Sequence, residues 1–344
     1  MKLFACPNCD NRVYFESVAC LVCQSRLGFD ASSLSVVAPS QSDGSSPKLS
    51  YCTNSTHGVC NWLTSAEDRN GRCRACDLNR TIPNLSQPGN LKAWRDLERA
   101  KKRLIYSLVR LRLPLQGGAS GRGPLTFDFA HNTTTGHFDG VISINVSEAD
   151  AVERERQRQI FGEPYRTLLG HLRHESGHYY WMVLIEGSVL LTEFRNLFGD
   201  ERQNYQAALA AHNGGAVPPD WQVRNVSAYA SSHAWEDWAE TWAHYLHMID
   251  ALDTAEAENM EPRSGQKWAS RLEALLAPLW PSKKHDVYHN ETFDALIERW
   301  IPLTISMNCI SRSMGHDEFY PFVITPAVRD KLAFVHRVIR DRAT

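Results

Sequence analysis

The chain has 344 residues, 43% of them hydrophobic and 22% charged, with 37 Lys and Arg against 39 Asp and Glu. That composition excludes wholesale disorder and a fibrous repeat. The near-balanced charge removes a bulk electrostatic case for nucleic acid or membrane. The length suggests two or so domains, and the uneven feature is cysteine, since eight of the nine precede residue 77.

Met1 to Cys6 leads straight into cysteine-rich sequence, with no apolar stretch of signal-peptide length behind Lys2. No window approaches 18 uninterrupted apolar residues, so no membrane span is expected. These features predict a cytoplasmic protein. The Asn-x-Ser/Thr triplets at Asn54, Asn79, Asn84, Asn132, Asn145, Asn225 and Asn290 then read as chance. In that compartment thiols stay reduced, and clustered cysteines point to metal before disulfides.

The first cysteine group is Cys6-Pro7-Asn8-Cys9 followed by Cys20-Leu21-Val22-Cys23. Each pair forms a knuckle offering two thiolates to one ion, and two knuckles close a tetrahedral four-sulfur site suited to structural zinc. A redox dithiol needs a thioredoxin-like strand-helix context, which is absent from this stretch. Residues 1–30 are therefore expected to form a zinc ribbon, packed by Phe4, Val13, Tyr14 and Phe15, with the metal supplying much of the folding energy. Residues 31–50 hold eight serines, two prolines and a glycine, the composition of a linker, so the ribbon is expected to move separately. Residues 51–90 carry Cys52, Cys60, Cys73 and Cys76, a second four-cysteine zinc module. Only Cys73-Arg74-Ala75-Cys76 has knuckle spacing there, and His57 could replace Cys52 or Cys60. Cys309, alone in a C-terminal apolar run, reads as a buried thiol.

Residues 91–344 are expected to form one α+β domain. Trp94, Leu97, Leu104, Leu108 and Leu111 recur at helical spacing over Leu91 to Leu113, between Pro88-Gly89-Asn90 and Pro114. Residues 91–125 hold nine Lys and Arg against two Asp and Glu; a solvated charged face is the ordinary reading, nucleic-acid contact the sharper one. Two strands follow, Leu125–Phe129 and Gly140–Val146, separated by Thr133-Thr134-Thr135-Gly136. After Asp150 the pattern is helical. Strands before helices suggest an α+β fold, with a small sheet and helices around a site.

His174-Glu175-Ser176-Gly177-His178 lies in a helix expected over Tyr165 to Leu184, behind Pro164. Histidines four apart share one helical face and can reach one metal, with Glu175 beside them as a general base for water. A catalytic zinc needs a third protein ligand. In His233 to Leu246 and just beyond it, Trp235, Trp238, Trp242, Leu246 and Ile249 share one stripe, while Glu236, Glu240, Ala243 and His247 share the opposite one. Two carboxylates one turn apart repel without a nearby Lys or Arg. A metal with two imidazoles would compensate them, which makes Glu236 the candidate third ligand.

His174-Glu175-x-x-His178 with Glu236-x-x-x-Glu240 downstream resembles the gluzincin pattern. The closer likeness is to the catalytic domain of anthrax lethal factor, where a Glu-x-x-Ala-Glu segment completes the zinc site and a tyrosine seven residues earlier assists the reaction. Tyr229 stands seven before Glu236. With the amino-terminal zinc ribbon, the whole arrangement is similar to a bacterial family of zinc-binding metallopeptidases. The resemblance implies a zincin-like core, with His174, His178 and Glu236 on catalytic zinc, Glu175 as proton shuttle and Tyr229 as oxyanion donor. It also implies Glu240, where thermolysin-like members carry Asp, as an outer partner of an imidazole. His171 and His233 are outer-shell or substrate-side candidates.

One catalytic and two structural zinc ions are thus expected, acting on a protein or peptide substrate. Zincin-type enzymes hold extended peptides against an edge strand, for which Gly140–Val146 is the candidate here. Phe198 to Trp221 would be a cleft wall or a plain connection. Two further readings compete: a non-catalytic zinc-ribbon adaptor on an inactive scaffold, and a protease acting on nucleic-acid-bound proteins, whose ribbons contact a protein or nucleic-acid partner.

Overall fold

The computed structural model describes residues 2–39, 49–65, 68–117, 121–260 and 286–341. The chain divides into two compact units, one of Leu3–Leu246 with Phe322–Thr344 and the other of His247–Pro321 with Met1–Lys2.

The first unit opens on short antiparallel pairs that suit a region with little core of its own. β1 (Phe4–Ala5) pairs with β2 (Arg12–Val13), β3 (Gly28–Asp30) with β4 (Ser35–Val37), and β5 (Ser50–Tyr51) with β6 (Leu63–Thr64). The serine-rich stretch therefore begins as structure, since Asp30 accepts from the backbone N–H groups of Ser32 and Ser33 and turns the chain into β4. Residues 40–48 of the expected linker lie outside the described residues.

The first ribbon does not stand apart. Phe15 and Phe29 pack with Trp62 of the second module, and both reach Tyr106, at ring-centre distances of 5.2 and 5.8 Å. Asn61 donates its side-chain N–H to the Phe15 carbonyl at 2.7 Å. Gly28 leaves room for Leu63 in this approach, since a Cβ there would lie 2.4 Å from Leu63 Cδ2 and the leucine side chain would have to shift. Composition signalled a linker, but long-range aromatic contacts decided the outcome.

Tyr106 belongs to α1 (Asn90–Arg110), whose apolar stripe is buried at Trp94, Leu97, Leu104 and Leu108 as the periodicity requires. Its cations hold the front of the molecule. Lys102 Nζ donates to the Val59 carbonyl at 2.7 Å, Arg95 Nε to that of Gly58 at 3.1 Å, and Arg103 Nε to Glu16 at 2.8 Å. Lys101 is fully buried, paired with Glu98 at 2.9 Å and bonded to Asn79.

Asn79 starts β7 (Asn79–Thr81), directly after the last cysteine knuckle. β7 pairs in parallel with β8 (Thr126–Ala130), which pairs in parallel with β10 (Val141–Asn145); β9 (Gly136–Phe138) runs antiparallel on the far side of β10. The strand order β7-β8-β10-β9 makes β9 the edge and places the expected edge, Gly140–Val146, inside the sheet. The three-residue β9 was hidden by its short length and turn-like approach. Phe127, Phe129, Ile142 and Ile144 are buried on one side of the sheet, with Lys101 over the two phenyl rings.

α2 (Ala151–Phe161), capped by Asp150, buries none of its residues. Next come α3 (Leu168–Leu184), α4 (Leu191–Phe198), α5 (Tyr205–Asn213), α6 (Trp221–Arg224) and α7 (Ala234–Ala257). α3 packs on α1 and on β9 and β10. Its contact with α7 is close because of Gly177, where a Cβ would meet the Ala239 Cα at 2.9 Å. Trp238 and Trp242 donate their indole N–H groups to the Gly177 carbonyl and Ser176 Oγ, at 2.8 and 3.1 Å. The chain's last helix, Pro326–Arg340, closes this unit by placing Phe334 against Trp238 and Phe198.

In the second unit, Phe293–Ser313 forms α8, which makes the last helix α9. Arg299 pairs with Glu256 and Glu291, Tyr288 donates to Asp250, and Trp300 stacks edge-on with Tyr320. Cys309 is exposed on α8, contrary to expectation; the buried face of that helix is Phe293, Leu296, Ile297, Trp300, Leu303 and Thr304. Among the described residues no helix is long and apolar enough to cross a membrane.

Candidate metal centre

Thr167 caps α3 through a hydrogen bond from the Gly170 N–H at 2.9 Å, so the helix begins three residues after the expected Tyr165. It carries His174 and His178 one turn apart with their rings perpendicular, centres 4.9 Å apart. α7 brings Glu236 between them. The carboxylate lies 2.9 Å from His174 Nε2 and 3.5 Å from His178 Nε2, and one ligand atom from each of the three residues falls within 4.8 Å of the others. A tetrahedral zinc with bonds near 2.0–2.1 Å needs ligand atoms about 3.3 Å apart, so this His₂Glu set fits such an ion.

The electrostatics point the same way. Glu236 is 0% exposed. Burial opposes its charge, but His178 and His174 outweigh that and hold its carboxyl well below the usual range. Burial likewise opposes charge on His174, and Glu236 and Glu240 more than offset it, raising its pKa well above normal. A site that favours positive charge so strongly attracts a proton or a metal cation.

The outer partners are ordered. His174 Nδ1 lies 2.7 Å from Glu240 Oε1, and Ser227 donates to Glu240 Oε2 at 2.6 Å. Burial works against the Glu240 charge, but these bonds hold its pKa down to about 2. An imidazole whose Nδ1–H is given to a carboxylate presents Nε2 as a lone pair. Ser227 was not read from the sequence, and no spacing rule marks it. Trp235, expected on the stripe opposite Glu236, instead packs its ring 4.1 Å from that of His178. α7 is thus apolar on its packed side and aromatic on its site side.

Glu175 is buried beside this set, and desolvation raises its carboxyl pKa, the direction that improves a base. Tyr229 lies with its ring 5.9 Å from that of His174; burial, then Glu236, pushes its hydroxyl pKa far up and keeps it a donor. A second tyrosine was missed: Tyr205, at the start of α5, donates to Glu236 Oε1 at 2.6 Å. It sits 31 residues before its partner, and no local pattern announces so distant a contact.

The remaining candidates do other things. His171 Nδ1 pairs with Glu148 at 2.7 Å. His233 accepts from the Trp235 N–H at 3.1 Å at the start of α7. Asp237, the residue after the candidate ligand Glu236, is bonded to Lys331. His57 packs on Trp94 rather than joining the cysteines.

Both four-cysteine groups converge. Cys6, Cys9, Cys20 and Cys23 form one cluster, and Cys52, Cys60, Cys73 and Cys76 the other. The Cys6–Cys23, Cys9–Cys20 and Cys60–Cys73 sulfurs are each 3.6 Å apart. Zinc–sulfur bonds of about 2.3 Å give a tetrahedral edge of about 3.8 Å, so both sets fit zinc.

Comparison with known proteins agrees with this chemistry. The profile of a family described as "Putative zinc-binding metallo-peptidase" matches residues 90–338, and that of a zinc-ribbon domain matches residues 3–87. Uncharacterized proteins of Mycobacterium tuberculosis and Mycobacterium bovis are 41% identical over 349 residues, covering 100% of this chain and 96% of each relative. No solved structure matches the chain significantly. The matched segment runs from the first turn of α1 into α9 and contains the whole His174, His178 and Glu236 set, so the chain belongs to this family of zinc-binding metallo-peptidases and carries a zinc-ribbon domain ahead of it.

Proposed function

We propose that the protein is a gluzincin-type peptidase that hydrolyses peptide bonds in a protein or peptide substrate. The observation that carries this reading is the convergence of His174, His178 and Glu236 with buried Glu175 beside them. His174, His178 and Glu236 would hold the catalytic zinc, whose chemistry when bound is to polarise the scissile carbonyl and acidify water. Glu175 takes the proton from the attacking water and passes it to the leaving amine. Burial raises its carboxyl pKa, the direction that makes it a stronger base. Tyr229 donates to the oxygen on which negative charge grows, a role worth about 2.7–4 kcal/mol in comparable sites. Glu240, steadied by Ser227, fixes the tautomer of His174. An extended substrate would add to the outer edge of β9, unpaired among the described residues, which lies against α3. The two cysteine clusters would hold structural zinc, giving three ions per chain.

The competing readings rest on less. Arg95, Lys102 and Arg103 of the basic stretch are engaged in holding the front module, which favours docking over nucleic acid as their task. The test of the peptidase reading is Glu175→Gln. Peptide hydrolysis should fall by more than a thousandfold while zinc content stays at the wild-type level; turnover near wild type would overturn the mechanism.

A further inference from the structure

Glu236 must serve two masters if it binds a metal through one oxygen. The other oxygen remains a buried, charged acceptor, and leaving such an atom without a donor costs about 1–3 kcal/mol or more. Oε2 faces His174 at 2.9 Å, and Oε1, 3.5 Å from His178 Nε2, accepts from the phenol of Tyr205 at 2.6 Å. The ring of Tyr205 is itself fixed, edge-on to His233 at 5.3 Å and to Trp235 at 5.8 Å. Asn204 caps the helix that carries it, accepting from the Ala207 N–H at 3.0 Å. α5 buries none of its residues, so it contributes little to the core, yet its first residue is aimed at the most buried carboxylate of the site.

We propose that Tyr205 is a positioning residue for the metal: its hydroxyl fixes the rotation of the Glu236 carboxylate, so that one oxygen and the two imidazoles converge before the ion arrives. The proposal rests on the reading of His174, His178 and Glu236 as a zinc site. Tyr205 and Tyr229 thereby have separate tasks, the first acting through a metal ligand and the second on the substrate oxygen. Loss of the Tyr205 hydroxyl lowers metal affinity, because the carboxylate must then be oriented at the moment of binding. Partners of this kind typically govern affinity by about 10–100-fold.

The experiment is a chelator competition on the full chain, with zinc as the probe, for wild type, Tyr205→Phe and Tyr229→Phe. Phenylalanine keeps the ring contacts with His233 and Trp235, so melting behaviour and the two cysteine-bound ions serve as folding controls. Tyr205→Phe should bind the third ion about 10–100-fold more weakly, with turnover restored by raised free zinc. Its cobalt-substituted form should show shifted visible bands. Tyr229→Phe should keep wild-type affinity for that ion and lose turnover at any zinc concentration. Wild-type affinity and an unshifted cobalt spectrum in Tyr205→Phe would overturn the proposal. A wild-type chain that takes up only two ions would overturn the underlying zinc-site reading instead, so the two failures are distinguishable.

Discussion

The two four-cysteine clusters use the same ligands but are built into the molecule differently. In the first, Cys9 is exposed and Cys23 half-buried; in the second, all four cysteines are buried. The first is joined to the rest through ring contacts of Phe15 and Phe29 with Trp62 and Tyr106 and hydrogen bonds at Phe15 and Glu16. The second runs without a break from Cys76 into β7, the outer parallel strand of the sheet whose opposite edge is β9. The zinc-ribbon match ends at residue 87 and the peptidase match begins at 90, yet one sheet takes strands from both segments. A boundary drawn by sequence similarity therefore cuts a structural unit. The second cluster secures the peptidase sheet, while the first adds a surface module to it.

The largest expected effect follows directly. Cys73→Ser should prevent the second cluster from closing, and since a structural zinc site of this kind supplies folding free energy outright, β7 should detach and the chain should lose the His174-His178-Glu236 ion as well. Cys9→Ser should lose one ion and leave the other two. Zinc analysis of the purified variants, read with tryptophan fluorescence for Trp238 and Trp242, checks both. Equal damage from the two substitutions would erase the distinction between the clusters.

Next in size is Lys101→Met. Lys101 and Glu98 are each fully buried, and Glu98 Oε2 has no hydrogen-bond partner among the described residues, so removing the cation leaves an uncompensated charge beside β7. Breaking such a pair costs about 3–5 kcal/mol, whereas replacing both members by apolar residues can be neutral. Lys101→Met should thus destabilise strongly to urea, and adding Glu98→Leu should recover most of the loss. No recovery would mean that Asn79 and Lys101, rather than the charge pair, make the link to the sheet.

Gly177→Ala tests the opposite side of the same sheet-and-helix body. The new methyl would meet backbone of α7 at 2.9 Å, where no flexible side chain can yield, and overpacking of this kind costs about 1–3 kcal/mol. Because the displaced helix carries Glu236, the melting temperature and the affinity for the third ion should fall together. Gly28→Ala, whose methyl meets the end of Leu63, should instead loosen the first ribbon and spare the third ion.

These contrasts also show which parts of the molecule could be read from sequence. Metal chemistry demands particular residue types at fixed spacing, so the knuckles, the His174 to His178 turn and the Glu236 to Glu240 turn were legible, as was the apolar period of α1. What escaped depends on contacts between distant residues. Tyr205, Ser227 and the docking of Phe15 on Tyr106 carry no local signature. β9 is only three residues long, and Trp235 obeys helical periodicity yet faces the site because α7 is packed on more than one side. Cys309 shows the converse error, an apolar neighbourhood in sequence that lies on the exposed face of a helix.

The smallest effect separates the core from both cysteine clusters by pH. His336 on α9 lies 3.0 Å from the Tyr245 hydroxyl, and burial followed by the nearby Arg340 lowers its pKa to about 4. The unfolded chain takes up that proton near pH 6.5, while the folded one resists until about pH 4. The unfolded state therefore binds more protons in this window, and the stability His336 confers is complete above pH 6.5 and lost as pH falls toward 4. Allowing for partial solvent screening, the contribution is about 1–2 kcal/mol. Burial also lowers the pKa of His137 to about 3 and of His244 to about 4, and acid would protonate thiolates that hold zinc, so the wild-type decline combines several causes. His336→Gln should remove only the His336 part. Urea titrations at pH 7.5 and 5 should show a stability difference smaller in the variant by that amount, with zinc release from the cysteines unchanged. An identical difference in variant and wild type would show that His336 adds nothing to the acid sensitivity.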